Sequence, residues 1–402
     1  MAYDIILLIR KVLYMNKYYI KLKNISLISF FMEQNIGLEI SEIEILNKNI
    51  MLFPPLLQEK INEDTIISFI NSRIIPKNRA FACDILRSYN LTLNDKKGVI
   101  DVSKGLSLTD DYWIVQDENL DFNKYNLFDN EFSDVLSLVA FTGYSSKVKG
   151  LLSSPELSTN GMLPKTWRRI NNQVLLYKGS TSYLGAINTG MEPYSEYYAS
   201  QVANALGYNH VKYNLDMWKG QIVSICPLFT SKDISFVPIG LIVKNGGIKS
   251  VFSYIKELGF EKDLSNLLLF DAITANQDRH FGNFGLLREN DTGKYISLAP
   301  IFDNGESLLS KALPSDFDTD DTFLELMNSN EYKYSYYNAS YEAIIKEYCS
   351  KEQITDLRKL LTFKFSRDSK LNLPENRLSK LEKFIQTRAR EYIEILSTEK
   401  NT

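Results

Sequence analysis

Apolar positions return along this chain in two rhythms, one helical and one strand-like. Between Asn62 and Arg73, and again between Asn78 and Tyr89, they recur at helical spacing; in the second stretch Phe81, Ile85, Leu86 and Tyr89 share a face. Pro193 to Gly207 predicts a further helix. Pro193 suits its first turn, Gly207 its C-terminal cap, and Tyr198, Val202 and Leu206 form the stripe that packs on a sheet. Ile248–Leu258 and Leu264–Ala275 predict two more. The last helix starts near Pro374 and lines up Leu378, Leu381, Ile385, Ala389 and Tyr392. Strand-like runs cover Gln173–Gly179 and Gln221–Phe229, the second leaving its sheet near Pro227. Phe284–Leu287 and Tyr295–Ile301 are separated by Glu289-Asn290-Asp291-Thr292-Gly293, a turn signal that predicts a hairpin.

The N-terminal third carries less. Met1 to Tyr14 is apolar, but Asp4 precedes the run and Arg10-Lys11 interrupts it. That is too short for a membrane span and wrongly ordered for a signal peptide, so a helix or strand packed on the body is expected. Residues 16–130 read as a separate module with no chemistry of its own. In it Gly105 to Trp113 predicts an aromatic-rich strand or turn, and Gln116 to Asn130 a polar connection.

A chain of 402 residues can hold two or three domains and a large core. Its 46 Lys plus Arg nearly balance 49 Asp plus Glu, so nothing argues for direct nucleic-acid binding. Cys83, Cys226 and Cys349 are widely spaced, odd in number and in no metal pattern; they suit reduced core residues of a cytoplasmic protein. Two histidines exclude a His-rich metal site. Of these, His210 is expected to be structural. Asp316 to Asp321 looks like a calcium loop at first, but Asp321 stands where glycine is required and Met327 where glutamate is. A solvated loop is expected instead.

The chemistry concentrates between Asp271 and Leu308. Asp278 and Asn283 lie five residues apart around Arg279-His280-Phe281-Gly282, and Asp303 follows after the predicted hairpin. A hairpin brings its ends together, so Asn283 and Asp303 should face one small volume, with Asp278 on the loop leading in. Phosphoryl transfer needs that set: oxygen ligands for Mg²⁺, and a carboxylate to receive the proton of the attacking hydroxyl. Protein kinases supply it with Asp-x4-Asn on a catalytic loop and a second Asp beyond a hairpin. Here Asp278 takes the base position and Asn283 and Asp303 the metal positions. Asp303 is followed by Asn304-Gly305 where protein kinases usually have Phe-Gly.

DAITANQDRHFGNFG followed by APIFDNGESL resembles the catalytic core of HipA-like bacterial serine/threonine kinases, over about Leu136 to Leu309. LSTNGMLPKTWRRINNQVLLYKGSTS resembles the nucleotide lobe of a HipA-like subgroup seen in low-GC Gram-positive bacteria. The resemblance implies an α+β, two-lobed protein-kinase-like fold with an extra N-terminal module. Its parts would be residues 1–131 (accessory module), 132–229 (nucleotide-binding lobe) and 230–402 (helical lobe with the catalytic loop). It implies ATP and Mg²⁺ as cofactors, a protein Ser or Thr as acceptor, and a cognate antitoxin as partner. Lys178, ending a strand, would contact nucleotide phosphates. Glu196 would pair with Lys178, or merely serve as a first-turn glutamate of its helix. Small residues at Ser158-Thr159-Asn160-Gly161 would let backbone N–H groups approach phosphates, or form a plain turn. Ser158 and Thr159 are candidate autophosphorylation sites. Cys226, Leu228 and Phe229 would offer backbone groups to adenine. Asp271 and Asn276 are expected to bind loop backbone, and His280 to brace the loop or touch phosphate. Two alternatives stay open: a catalytically silent nucleotide-binding module, and a lipid or small-molecule kinase, since DRH-x-x-N also resembles phosphatidylinositol kinases.

Overall fold

The computed structural model describes residues 16–144, 154–181 and 190–398, so the apolar N-terminal run lies outside the described residues. The chain forms two compact units. One comprises Met1–Leu175, Thr230–Val237 and Arg288–Tyr295; the other comprises Leu176–Phe229, Pro238–Leu287 and Ile296–Thr402.

The first unit contains a sheet that periodicity does not predict. Strands β1 (Asn16–Leu22), β2 (Ile25–Gln34) and β3 (Leu38–Ile45) run antiparallel, with Ile20 opposite Ile28. Tyr18, Ile20, Leu22, Ile28, Phe30 and Met32 are each at most 1% exposed. Leu27 and Phe31 place apolar side chains on the other face of β2, so the alternation blurs into one apolar run. Two helices, α1 (Pro55–Gln58) and α2 (Glu63–Asn71), add Leu57, Ile66, Phe69 and Ile70 to this core. Asn62 caps α2 by accepting from the Thr65 N–H, while the Thr65 hydroxyl accepts from the Asn62 N–H. Helices α3 (Ala82–Arg87) and α4 (Lys96–Ser103) precede β4 (Tyr112–Val115), which pairs with β1 to complete the order β3-β2-β1-β4. Helix α5 (Asp134–Thr142) and strand β5 (Lys165–Ile170) follow. Arg288 also belongs to this unit: buried, it donates to the carbonyls of Met51, Phe53 and Gly293 and to the Tyr112 hydroxyl.

The second unit begins within β6 (Gln173–Lys178) and continues through α6 (Glu192–Leu206), β7 (Asn214–Trp218) and β8 (Gln221–Pro227). The strand order is β6-β8-β7, with β7 and β8 antiparallel. Helix α6 ends at Gly207 with φ +84°, a left-handed cap that glycine takes without strain. After β9 (Ile234–Pro238), most of which counts with the first unit, come α7 (Gly247–Glu257) and α8 (Glu261–Thr274). The predicted hairpin is present as β10 (Gly285–Glu289) and β11 (Tyr295–Leu298). The chain closes with α9 (Asp320–Asn328), α10 (Tyr341–Tyr348), α11 (Ile354–Arg358) and α12 (Glu375–Thr398).

Helix α8 runs through the core, with Leu264, Leu267, Leu268, Phe270 and Ile273 at most 2% exposed and packed against α6, α7, α10 and α12. Its last turn is held from α12: Tyr392 donates to the Ala272 carbonyl at 3.3 Å, and Arg388 donates to the same oxygen. Ala275, at φ +52°, stops the helix and turns the chain into the loop that follows. Asp316–Asp321 is largely exposed to solvent, as expected, but it is not a loop. It forms a 3-10 turn with buried Phe317 and then the first turn of α9, capped by Thr319.

Candidate active site

The side chains singled out between Lys178 and Asp303 all belong to the second unit. Strand β6 delivers Lys178 at its end, α6 carries Glu196 in its first turns, and β8 carries Ser224. Lys178 Nζ donates to Glu196 Oε1 at 2.6 Å and also contacts Asp303 Oδ1. The Glu196 side chain is 1% exposed, Lys178 9% and Asp303 33%, so the group opens to solvent only at Asp303. Ser224 donates its hydroxyl to the second oxygen of Glu196. Burial works to lower the Lys178 pKa, but the facing carboxylates of Asp303 and Glu196 outweigh it and raise it, so the ammonium stays charged. One ammonium cannot neutralise both carboxylates. Burial, with Asp303 adding to it, therefore pushes Glu196 above the usual range against the pull of Lys178.

Asp303 sits in left-handed backbone, φ +56°, uncommon for a residue with a side chain. Its N–H donates to the Tyr213 hydroxyl at 3.1 Å, and Tyr213 is buried with Val211 and Cys226. Such a conformation persists only where surrounding contacts hold it, and these cluster at functional sites.

The loop after α8 is bonded to itself at nearly every residue. Asn276 Oδ1 accepts the Asp278 N–H at 3.1 Å, the Asp278 carbonyl accepts the His280 N–H at 2.9 Å, and the His280 carbonyl accepts the Asn283 N–H at 2.9 Å. Asn283 Nδ2 donates to the Asp278 carbonyl at 2.9 Å, with the Asp278 carboxylate at 3.5 Å. That use of Nδ2 leaves Oδ1 as the acceptor Asn283 can offer. Burial raises the Asp278 pKa; His280 opposes this, while Asp303 and Glu306 add to it. His280 Nδ1 accepts the Gly282 N–H at 3.0 Å, and its ring lies edge-on to Tyr336 with centroids 6.0 Å apart.

Asp271 binds the loop through both backbone and side chain: its carbonyl accepts the Asn276 N–H at 3.0 Å. Its carboxylate receives Arg279 Nε at 3.0 Å, Arg279 Nη2 at 3.0 Å and Asn276 Nδ2 at 3.0 Å. His210 has the structural role expected, with Nδ1 2.8 Å from the Tyr208 carbonyl oxygen. Cys226 is buried, which pushes its thiol well up. Phe229 packs on Phe302, the neighbour of Asp303, with centroids 5.2 Å apart, and Leu228 lies half-buried between the strand end and Phe229.

Ser158, Thr159, Asn160 and Gly161 belong to the first unit. Ser158 is buried and donates to the Leu106 carbonyl at 2.7 Å, while Thr159 donates to the Pro155 carbonyl at 2.6 Å. The Asn160 carbonyl accepts from Lys165 Nζ at 3.0 Å, and Gly161 takes φ +91°. Arg79 pins this stretch by donating to the carbonyls of Glu156 (2.6 Å) and Thr159 (3.3 Å). Ser224 and Tyr213, both in contact with the site, were missed in the sequence. A serine between the buried residues of an apolar strand was the available signal for the first; nothing local marked the second.

The oxygen-only donors Asn283 and Asp303 suit a hard divalent cation that keeps phosphate and water as its other ligands. Among the described residues no cluster of three or more His, Cys, Asp or Glu offers an all-protein metal cage.

No protein-family model matches the chain. Over 141 residues it is 29% identical to the serine/threonine-protein kinase CtkA of Helicobacter pylori, a match covering 30% of this chain and 41% of that protein. The crystal structure of the H. pylori proinflammatory kinase CtkA superposes with a TM-score of 0.48 and 21% identity, over 60% of this chain and 92% of that one. HipA from Shewanella oneidensis, solved with HipB and operator DNA, superposes with a TM-score of 0.51 and 11% identity over 95% of this chain and 100% of that one. The fold is therefore the mixed α+β, protein-kinase-like fold expected of HipA-like kinases. No helix among the described residues is long and apolar enough to cross a membrane.

Proposed function

We propose that the chain is a HipA-like phosphotransferase that moves the γ-phosphoryl group of ATP to a Ser or Thr hydroxyl of a protein. The observation that supports it best is the buried Lys178 ammonium, held by Glu196 at 2.6 Å and in contact with Asp303. A strand lysine braced by a helix glutamate beside a carboxylate at a strained backbone position is the arrangement phosphoryl transfer needs. Lys178 neutralises phosphate charge, and Glu196 and Ser224 hold it in place. Asp278 accepts or orients the acceptor hydroxyl; its raised pKa brings it nearer neutrality than an ordinary carboxylate. Asn283 and Asp303 are the metal ligands. Mg²⁺, when bound, supplies charge neutralisation at the phosphate oxygens. The backbone of Cys226, Leu228 and Phe229 is assigned to adenine. Positioning and electrostatics account for the rate enhancement.

The crystallised HipA is bound to HipB and operator DNA. A cognate antitoxin is accordingly the proposed partner here. Cytoplasmic residence belongs to the same proposal. Autophosphorylation at Ser158 or Thr159 first requires release of the bonds to Leu106 and Pro155.

The test is turnover of radiolabelled ATP by the wild type and Asp278→Ala, with protein, inositol lipid and sugar acceptors offered in parallel. Label on protein from the wild type alone is expected. Equal label from both proteins removes Asp278 from the chemistry, and label on lipid or sugar changes the acceptor class. ATP binding without turnover makes the chain a silent module.

A further inference from the structure

Arg279 holds several segments near the site at once. It is 1% exposed. Its Nε and Nη2 engage the Asp271 carboxylate, at 3.0 to 3.2 Å. Nη1 donates to the carbonyl of Asn283 at 2.9 Å and to the carbonyl of Phe302 at 2.6 Å. Nη2 donates to Asn304 Oδ1 at 2.7 Å. A guanidinium has five N–H groups in a planar fork, so one rigid plate links helix α8, the loop carrying Asp278 and Asn283, and the residues on both sides of Asp303.

We infer that Arg279 is a positioning residue that fixes the separation between Asn283 and Asp303, and thereby sets the affinity of the site for a nucleotide-borne divalent cation. The inference rests on the phosphotransferase reading. Asn283 and Asp303 lie on segments separated by a whole hairpin, and each needs an anchor to keep its oxygen in place. The nearest cross-link between those segments is Nη1, which holds the Asn283 carbonyl and the residue before Asp303 with one nitrogen. Nη2 holds the residue after it. A lysine keeps the charge facing Asp271 but is a point donor that cannot reach both carbonyls and Asn304 together. Loss of groups that orient metal ligands typically weakens metal binding by roughly 10- to 100-fold.

The experiment is calorimetric titration of Mg²⁺ into the full chain with saturating ADP, beside titration of ADP alone, for the wild type and Arg279→Lys. Thermal unfolding is recorded in parallel. The expected result is a loss of about tenfold or more in apparent Mg²⁺ affinity, with metal-free ADP binding unchanged. A merely structural arginine lowers the unfolding temperature and leaves the metal titration of the folded protein where it was; that outcome overturns the inference. Where the lysine variant does not fold, Asp271→Asn combined with Arg279→Gln removes both buried charges together, and the same loss of metal affinity is expected. A wild type that binds ADP but takes up no Mg²⁺ defeats the phosphotransferase reading as well. A wild type that does, with unchanged variants, defeats only the role of Arg279.

Discussion

Replacing Lys178 with methionine removes a single ammonium from between two carboxylates, and the structure gives the size and pH dependence of the effect. Glu196 is left 1% exposed with Ser224 as its remaining side-chain donor, while Asp303 is a third exposed and can turn to water. Breaking a buried pair by removing one partner costs about 3–5 kcal/mol, and the partly solvated Asp303 puts this case at the lower end. A loss of about 3 kcal/mol lowers the folding equilibrium constant by roughly 150-fold. The sign with pH follows from Glu196. Burial already raises its pKa, and removing the lysine raises it further. A carboxyl whose folded pKa exceeds its unfolded value of about 4.3 adds stability below that value. The contribution is lost as pH climbs through the folded pKa. The deficit of Lys178→Met relative to wild type is therefore smallest in acid and complete in mild alkali. Urea unfolding followed by tryptophan fluorescence at several pH values, from about 4.5, close to the unfolded carboxyl value, up to about 8.5, measures it, and adding Glu196→Gln to the variant should restore most of the loss. A deficit below about 1 kcal/mol that stays flat with pH would refute the buried cluster as described, because an exposed pair behaves that way.

Four further outcomes are expected. Asp278→Asn should lower turnover by about 10²–10⁴-fold with ADP affinity unchanged. Because burial raises the Asp278 pKa, the acid limb of the wild-type rate profile should lie above the ordinary carboxylate range, the rate falling as pH drops through it. Gly293→Ala should destabilise the first unit by more than about 2 kcal/mol in urea, since φ is +74° and an added Cβ meets the Met51 carbonyl oxygen at 2.0 Å. Ser158→Asp should lower the unfolding temperature, because the residue is 6% exposed and its hydroxyl is bonded to the Leu106 carbonyl; an unchanged transition would mean that this stretch opens freely.

Local pattern was enough for the elements whose residues carry their own start and stop signals. Helix α6 begins at a proline and ends at a left-handed glycine, α12 shows a continuous apolar stripe, and the hairpin carries its turn between two apolar runs. The spacing of Asp278, Asn283 and Asp303 could be read there too, and the structure joins the backbone on either side of the hairpin, at Asn283 and Phe302, through Arg279. The β1–β3 sheet was hidden because both faces of β2 carry apolar residues, which erases the alternation that marks a strand. The acidic stretch before α9 misled because its composition suits a solvated loop, whereas Phe317 needed a core and the Thr319 hydroxyl found a helix end to cap. Nothing in the local pattern announces that Thr230–Val237 and Arg288–Tyr295 count with the first compact unit. Nor does it say that the Arg279 guanidinium would be divided among Asp271, Asn283, Phe302 and Asn304. The sequence alone thus determined which residues could bring oxygen, charge and a turn to one place, since residue type and spacing set those possibilities. Which buried donor met which acceptor was decided by the tertiary structure, because every buried polar group must be satisfied and its partners lie far away along the chain.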